Sequence, residues 1–308
     1  MTRHFLLPFL LCALAATASA KEPVTVYLAG DSTLAKKLPE KRPETGWGEA
    51  LPKFFKEGAV RIENRAQNGR STRTFIEQNL WQGIVNDLKK GDYVLIEFGH
   101  NDSAKDRPDR YTPPEDYRAN LARFVREARG RGAIPVLLTP VARRRFDKDG
   151  RFQESHGVYT GIVREVAAEY KVPLIDMYAK SEKALVGYGP AESRKLFLQL
   201  KPGENPNYPA GVEDNTHFNP LGAELMARLA VEGMRERKLG LAKYLLKKNR
   251  VKDWPQRHGG TELRISTLNL KFQIPNLRVS VSLWLTFLLQ RRSIGRDPSL
   301  GARASLPA

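Results

Sequence analysis

The stretch Val24-Thr-Val-Tyr-Leu-Ala-Gly-Asp-Ser-Thr33 decides the fold. Its run of strand length is apolar at nearly every position, which suits a strand buried on both faces. The run ends at Gly30-Asp31-Ser32, so a serine stands where a buried strand gives out and the chain is expected to turn toward a helix. Far downstream, Asp214-Asn-Thr-His217 places a carboxylate and an imidazole three residues apart. Those are the two groups needed to activate a serine hydroxyl.

Four further apolar runs of strand length follow, at Val60 to Glu63, Tyr93 to Phe98, Ile134 to Thr139 and Pro173 to Ile175. Among them, Pro114 to Gly130, Gly157 to Tyr170 and Pro220 to Leu239 space apolar side chains at helical intervals with charges elsewhere. Asn219 before Pro220 fits an N-cap followed by proline at the first helical position. This alternation predicts an α/β domain built on a parallel sheet. Ligands of such sheets bind beyond the carboxyl ends of the strands. Three polar segments fall there: Gly30-Asp31-Ser32, Asn68-Gly69-Arg70 and Gly99-His100-Asn101-Asp102. Each brings a polar group or a free backbone N–H to one rim, which is what holding a tetrahedral oxyanion requires.

In order and approximate spacing, Gly30-Asp-Ser-Thr33, Gly69, Gly99-His-Asn-Asp102 and Asp214-x-x-His217 resemble the four blocks of the SGNH (GDSL-like) hydrolase superfamily. The wording of Ala29-Gly-Asp-Ser-Thr33, Gly46-Trp-Gly48, Glu97-Phe-Gly-His-Asn-Asp102 and Thr216-His-Phe-Asn-Pro-Leu-Gly222 is most similar to its rhamnogalacturonan acetylesterase branch. The resemblance spans residues 23 to 240. It implies a three-layer α/β/α sandwich with a central parallel sheet, the SGNH or flavodoxin-like hydrolase fold. It further implies that Ser32 attacks an acyl carbonyl, that His217 shuttles the proton, and that Asp214 orients the imidazole. The oxyanion hole would comprise the backbone N–H groups of Ser32 and Gly69 and the side-chain amide of Asn101. Removing one such donor typically costs about 10²–10³ in turnover, so Asn101→Ala should be impaired but not dead. No cofactor is implied. The implied substrate is an acetylated plant cell-wall polysaccharide, rhamnogalacturonan first, with xylan or a bacterial exopolysaccharide as the alternative. A carbohydrate-binding protein without turnover would leave the complete Ser32, Asp214 and His217 set without a use.

Each residue has a plainer reading. Ser32 would serve as an N-cap, Gly69 as a left-handed turn, and Asn101 and Asp102 as an Asx turn; Asp102 is expected to serve structure. His217 would be a capped surface histidine. The spacing of Asp214 and His217 also suits a metal, but His100, His156 and His258 make no ligand-spaced cluster with them, so no metal site is expected. His100 and Arg70, beside the oxyanion residues, are candidates for positioning substrate, against simple exposure in a loop. Arg143-Arg144-Arg145 would reach the same rim, where positive charge suits an anionic polysaccharide, although such runs are commonly only solvated.

The ends of the chain read differently from its middle. Arg3, the apolar run Phe5 to Ala16 and Ala18-Ser19-Ala20 fit a cleaved signal peptide over residues 1–20, so the protein is expected to be exported, to a periplasm or outside the cell. The apolar run is shorter than the roughly 20 residues of a membrane-spanning helix. The single cysteine, Cys12, lies inside it behind Leu10 and Leu11, which does not suit lipidation, and no disulfide is then available. Of the net charge of +17, most lies in the tail: residues 241–308 carry 13 Lys/Arg against 3 Asp/Glu, and residues 21–240 carry 37 against 31. The mildly basic body has no basic stripe interleaved with aromatics, so no nucleic-acid partner is expected. Residues 21–245 would form the catalytic domain and 246–308 a basic extension, disordered or non-native, with a surface-binding appendage as the rival reading. No stable membrane association is expected, and the chain is expected to act as a monomer.

Overall fold

A computed structural model describes residues 22–247. The expected signal peptide and the extension from residue 248 onward lie outside these described residues. The backbone N–H of Leu246 donates to the carbonyl of Phe54 at 2.9 Å, and its carbonyl accepts from Arg235 Nη2 at 2.8 Å. The domain therefore includes residue 246, one beyond the expected boundary.

Five strands, β1 (Val24–Gly30), β2 (Val60–Asn64), β3 (Tyr93–Glu97), β4 (Ile134–Leu138) and β5 (Leu174–Ile175), form one sheet in the order β2-β1-β3-β4-β5. Every neighbouring pair is parallel. Successive side chains of a strand point to opposite faces, and in β1, β3 and β4 both faces are apolar. Val26, Leu28, Leu95 and Val136 enter one core, while Tyr27, Ala29, Val94, Ile96 and Leu137 enter the other. That double burial is why these three strands read as continuous apolar runs, whereas the edge strand β2 carries Arg61 and Glu63 between its apolar residues and is only partly buried.

The α-helices among the described residues are α1 (Trp47–Ala50), α2 (Thr72–Glu77), α3 (Leu80–Asp87), α4 (Pro114–Gly130), α5 (Tyr159–Glu169), α6 (Met177–Glu192) and α7 (Pro220–Glu236). The first core is closed by α1, α6 and α7 through Trp47, Leu185 and Met226, and the second by α2 to α5 through Phe75, Trp81, Phe124 and Val163. The architecture is the expected α/β/α sandwich. Helix α4 starts with proline and carries Glu115 and Asp116 in its first turn, where they oppose the positive end of the helix dipole. Helix α7 is capped by Asn219, whose Oδ1 accepts from the N–H groups of Leu221 and Gly222, both at 3.0 Å. A separate antiparallel pair, β6 (Phe197–Leu200) and β7 (Val212–Phe218), is anchored by its Phe197 and Phe218 rings, 5.2 Å apart, in the first core.

From β1 the chain passes to β2 on one side and then crosses to β3 on the other. The strand order thus reverses between β1 and β3, and the ligand crevice of a doubly wound sheet opens at such a point. Gly30 and Glu97 are partners in register, so the segments after β1 and β3 leave the sheet side by side. One expectation fails here: no helix follows Ser32. The N–H groups of Leu34 and Ala35 close a turn on the carbonyl of Asp31, at 3.2 and 3.0 Å. Pro39 and Pro43 lie just beyond, and the first α-helix begins only at Trp47. Ser32 is therefore not a helix N-cap.

Candidate active site

Ser32 follows β1 on the tight turn just described. His217 stands near the end of β7, and its Nε2 is 2.8 Å from Ser32 Oγ. On the other side of the ring, His217 Nδ1 lies 2.6 Å from Asp214 Oδ2. The second carboxylate oxygen, Oδ1, accepts the N–H groups of Thr216 at 2.6 Å and His217 at 2.9 Å. Those two bonds bend the strand end so that side chains three residues apart meet. Burial pushes the Asp214 carboxyl up, but the hydrogen bonds from the His217 ring and from the two N–H groups outweigh it and hold the pKa below its ordinary value. A charged Asp214 fixes the proton on Nδ1, leaving Nε2 as an acceptor facing the serine hydroxyl.

Gly69 has φ +75°, and a β-carbon there would meet only the Arg110 guanidinium, its Nη1 at 3.4 Å. Its left-handed backbone, not crowding, calls for glycine. Among the described residues, neither the Ser32 nor the Gly69 N–H is taken by another acceptor. Asn101 Nδ2 gives one of its two N–H bonds to the carbonyl of Arg70 at 2.9 Å, which holds the amide against the Gly69 loop. Arg70 Nη1 donates to the carbonyl of Asn68 at 2.8 Å, and its Nε to Gln78 Oε1 at 2.9 Å. The Asn68 carbonyl belongs to the peptide that carries the Gly69 N–H, so this bond polarises that peptide and strengthens the donor. Arg70 therefore touches the loop that carries the expected oxyanion donor Gly69.

His100 is not the exposed loop residue that its plainer reading made it. It is 3% exposed, edge-on to His156 with ring centroids 4.5 Å apart. Burial, with His156 and Arg143 close by, holds its pKa well below the ordinary value, so the ring is neutral. Asp102 is fully buried and holds the first residue of α2, accepting from Thr72 N at 2.8 Å and Thr72 Oγ1 at 2.6 Å. Burial pushes its carboxyl up to about 7.

The arginine run does not form a free basic rim. Arg143 Nη1 donates to Thr216 Oγ1 at 2.9 Å and Nη2 to the carbonyl of His100 at 3.1 Å, which ties the strand end bearing His217 to the loop after β3. Arg144 donates to Ser193 Oγ at 3.0 Å, to Asn215 Oδ1 at 2.8 Å and to the carbonyl of Pro190. These two guanidinium groups are structural, and Arg145 alone of the three is exposed.

Other polar groups, quoted within the sequence blocks but given no role there, support the serine turn. Thr33 Oγ1 lies 2.9 Å from Asp31 Oδ1 and 3.2 Å from Glu97 Oε1. Trp47 Nε1 donates to Glu97 Oε2 at 2.8 Å, so the Gly46-Trp-Gly48 and Glu97 blocks meet next to Thr33, the residue after the serine. Burial, and then the charge of Asp31, push Glu97 up to about 8; burial also raises Asp31 despite its hydrogen bonds from Thr33. Lys37 is the other addition. Its buried ammonium contacts the Ser32 carbonyl, Asn68 Oδ1 and Glu44 Oε1. Lys36, its neighbour, is exposed, and nothing local in the sequence tells the two apart.

Residues 28–225 match the GDSL-like lipase/acylhydrolase family. The chain is 42% identical over 226 residues to the rhamnogalacturonan acetylesterase RhgT of Bacillus subtilis (strain 168), covering 73% of this chain and 96% of that protein. It is 34% identical over 223 residues to the probable rhamnogalacturonan acetylesterase YesY of the same organism, covering 72% and 97%. The crystal structure of YxiM from Bacillus subtilis aligns with a TM-score of 0.61 at 25% identity, covering 71% of this chain and 58% of that one. The chain belongs to the GDSL-like lipase/acylhydrolase family and is an ester hydrolase.

Proposed function

We propose that this protein is an exported serine esterase that removes O-acetyl groups from rhamnogalacturonan through an acyl-enzyme on Ser32. The observation that carries this reading is the unbroken chain Ser32 Oγ, His217 Nε2, His217 Nδ1, Asp214 Oδ2, with contacts of 2.8 and 2.6 Å. The 42% identity to a protein named as a rhamnogalacturonan acetylesterase supports the substrate, and the signal-like first twenty residues support export.

His217 Nε2 takes the Ser32 proton as Oγ attacks the acetyl carbonyl. The resulting oxyanion accepts from the N–H groups of Ser32 and Gly69 and from the remaining N–H of the Asn101 amide. Asp214 stabilises the imidazolium that forms, and His217 returns the proton to the departing sugar hydroxyl. Water then repeats the sequence on the acetyl-enzyme and releases acetate. Arg70 and Arg143 hold the loops that carry these groups.

The test is acetate release from acetylated rhamnogalacturonan and, in parallel, from acetylated xylan, with Ser32→Ala as control. Faster release from the pectic polymer that vanishes in the control is the expected result. Release mainly from xylan would overturn the substrate, and release surviving Ser32→Ala would overturn the mechanism.

A further inference from the structure

Lys37 carries a buried cation for which the reaction scheme above has no use. Its side chain is 1% exposed, and each of its three N–H bonds has an acceptor: the Ser32 carbonyl at 2.5 Å, Asn68 Oδ1 at 2.7 Å and Glu44 Oε1 at 2.7 Å. A charge this deep is retained only when paired and fully hydrogen-bonded. The partners are what make the position notable. Ser32 lies on the segment after β1 and Asn68 on the segment after β2, one residue before Gly69.

Backbone pairing between those two segments reaches only as far as the bond from Gln67 N to the Gly30 carbonyl, at 3.0 Å. Beyond that bond, the one ammonium joins the residue that bears one expected oxyanion donor to the neighbour of the residue that bears the other. Oxyanion donors act at about 2.7–3.1 Å, and a misplacement of about 1 Å costs on the order of 10²-fold in rate. The Glu44 carboxylate turns the ammonium into one half of an ion pair, whose field falls off faster than that of a lone charge. Geometry, more than net charge, is therefore what Lys37 supplies.

We propose that Lys37 is a positioning residue for acyl transfer: by gripping the Ser32 carbonyl and the Asn68 side chain together, it sets the spacing of the Ser32 and Gly69 N–H donors. The proposal rests on the acyl-enzyme reading.

The test is steady-state hydrolysis of p-nitrophenyl acetate by the wild type, Lys37→Met, Asn68→Ala and the double variant, with thermal melts of each. Lys37→Met should lower kcat by about 10²-fold and Asn68→Ala by about tenfold, with KM nearly unchanged, as for an interaction made only in the transition state. The double variant should be no slower than Lys37→Met alone, because both substitutions cut one bridge. The Asn68 side chain lies on an exposed residue, so Asn68→Ala reads the bridge even where Lys37→Met fails to fold. Wild-type kcat in a folded single variant, a loss confined to KM, or additive losses in the double variant would overturn the proposal. Wild-type turnover that survives Ser32→Ala would instead overturn the acyl-enzyme reading, and the proposal with it.

Discussion

His217 Nε2 stands 2.8 Å from Ser32 Oγ although 185 residues separate them in the chain. The two groups belong to different parts of the fold, the serine to the carboxyl end of a central strand and the histidine to an antiparallel pair outside the sheet. Their meeting depends on whatever fixes that pair against the sheet. Among the contacts that do so are the Phe218 ring in the first core, the bond from Thr45 N to the Phe218 carbonyl at 2.8 Å, the Arg143 clasp on Thr216 and the Arg144 bond to Asn215 Oδ1.

Asp214→Asn should lower kcat by about 10⁴-fold while leaving the fold intact. Two backbone N–H groups hold Oδ1 as an acceptor, so the new amide must turn its NH₂ toward His217 Nδ1. The ring then carries its proton on Nε2 and cannot receive the one from serine. Turnover of a soluble acetyl ester, beside a thermal melt, checks this; a loss below tenfold would contradict it.

Arg143→Gln should lower kcat by the same factor on a small acetyl ester and on an acetylated anionic polymer. The guanidinium holds Thr216 and the His100 carbonyl in place, and its loss loosens the triad whichever substrate is bound. A rise in KM seen only with the polymer would return Arg143 to the basic rim expected from the sequence.

Glu97→Gln should flatten the dependence of stability on pH between 4.5 and about 8. Glu97 has a folded pKa of about 8 against an ordinary 4.5, so the folded state holds an extra proton between those values. Its stabilising effect is fully present below pH 4.5 and is lost as pH rises through about 8, at no more than about 1.4 kcal/mol per pH unit. The difference in melting temperature between Glu97→Gln and wild type should therefore grow in favour of the variant from pH 6 to pH 9. A constant difference would mean that Glu97 is already ionised at pH 6.

Gly222→Ala should destabilise by about 3 kcal/mol. In an ordinary helix the change gains up to about 1 kcal/mol. Here the new β-carbon would lie 1.9 Å from the Leu196 carbonyl oxygen, where the first turn of α7 packs against the chain leading into β6. Chemical denaturation measures it, and a stabilised variant would refute the close approach.

The sheet was legible because its central strands are buried on both faces. Continuous apolarity marked β1, β3 and β4, whereas the edge strand β2 showed only through Val60 and Ile62 among charged residues, and the expected bounds of α4, Pro114 to Gly130, coincide with those observed. Helix α6 escaped because Gly187, Gly189 and Pro190 interrupt its pattern; Gly189 is non-helical at φ 72°. Strand β7 escaped for the opposite reason. Glu213-Asp-Asn-Thr-His217 has the composition of a turn, and its strand pairing is supplied by β6 and by the Asp214 carboxylate. The positions of Ser32, Asp214 and His217 were visible as chemistry in spaced blocks. The roles of Lys37, Glu97 and Arg143 were not, because each is defined by partners on other segments.

The central claim is that Ser32 is the nucleophile, and covalent capture tests it most directly. The protein is treated with a serine-directed fluorophosphonate and its intact mass and peptide map are read. One phosphonyl group per chain, on the peptide carrying Ser32 and absent in His217→Ala, is the expected result. A folded protein that takes no label, or takes it on another residue, would contradict the account.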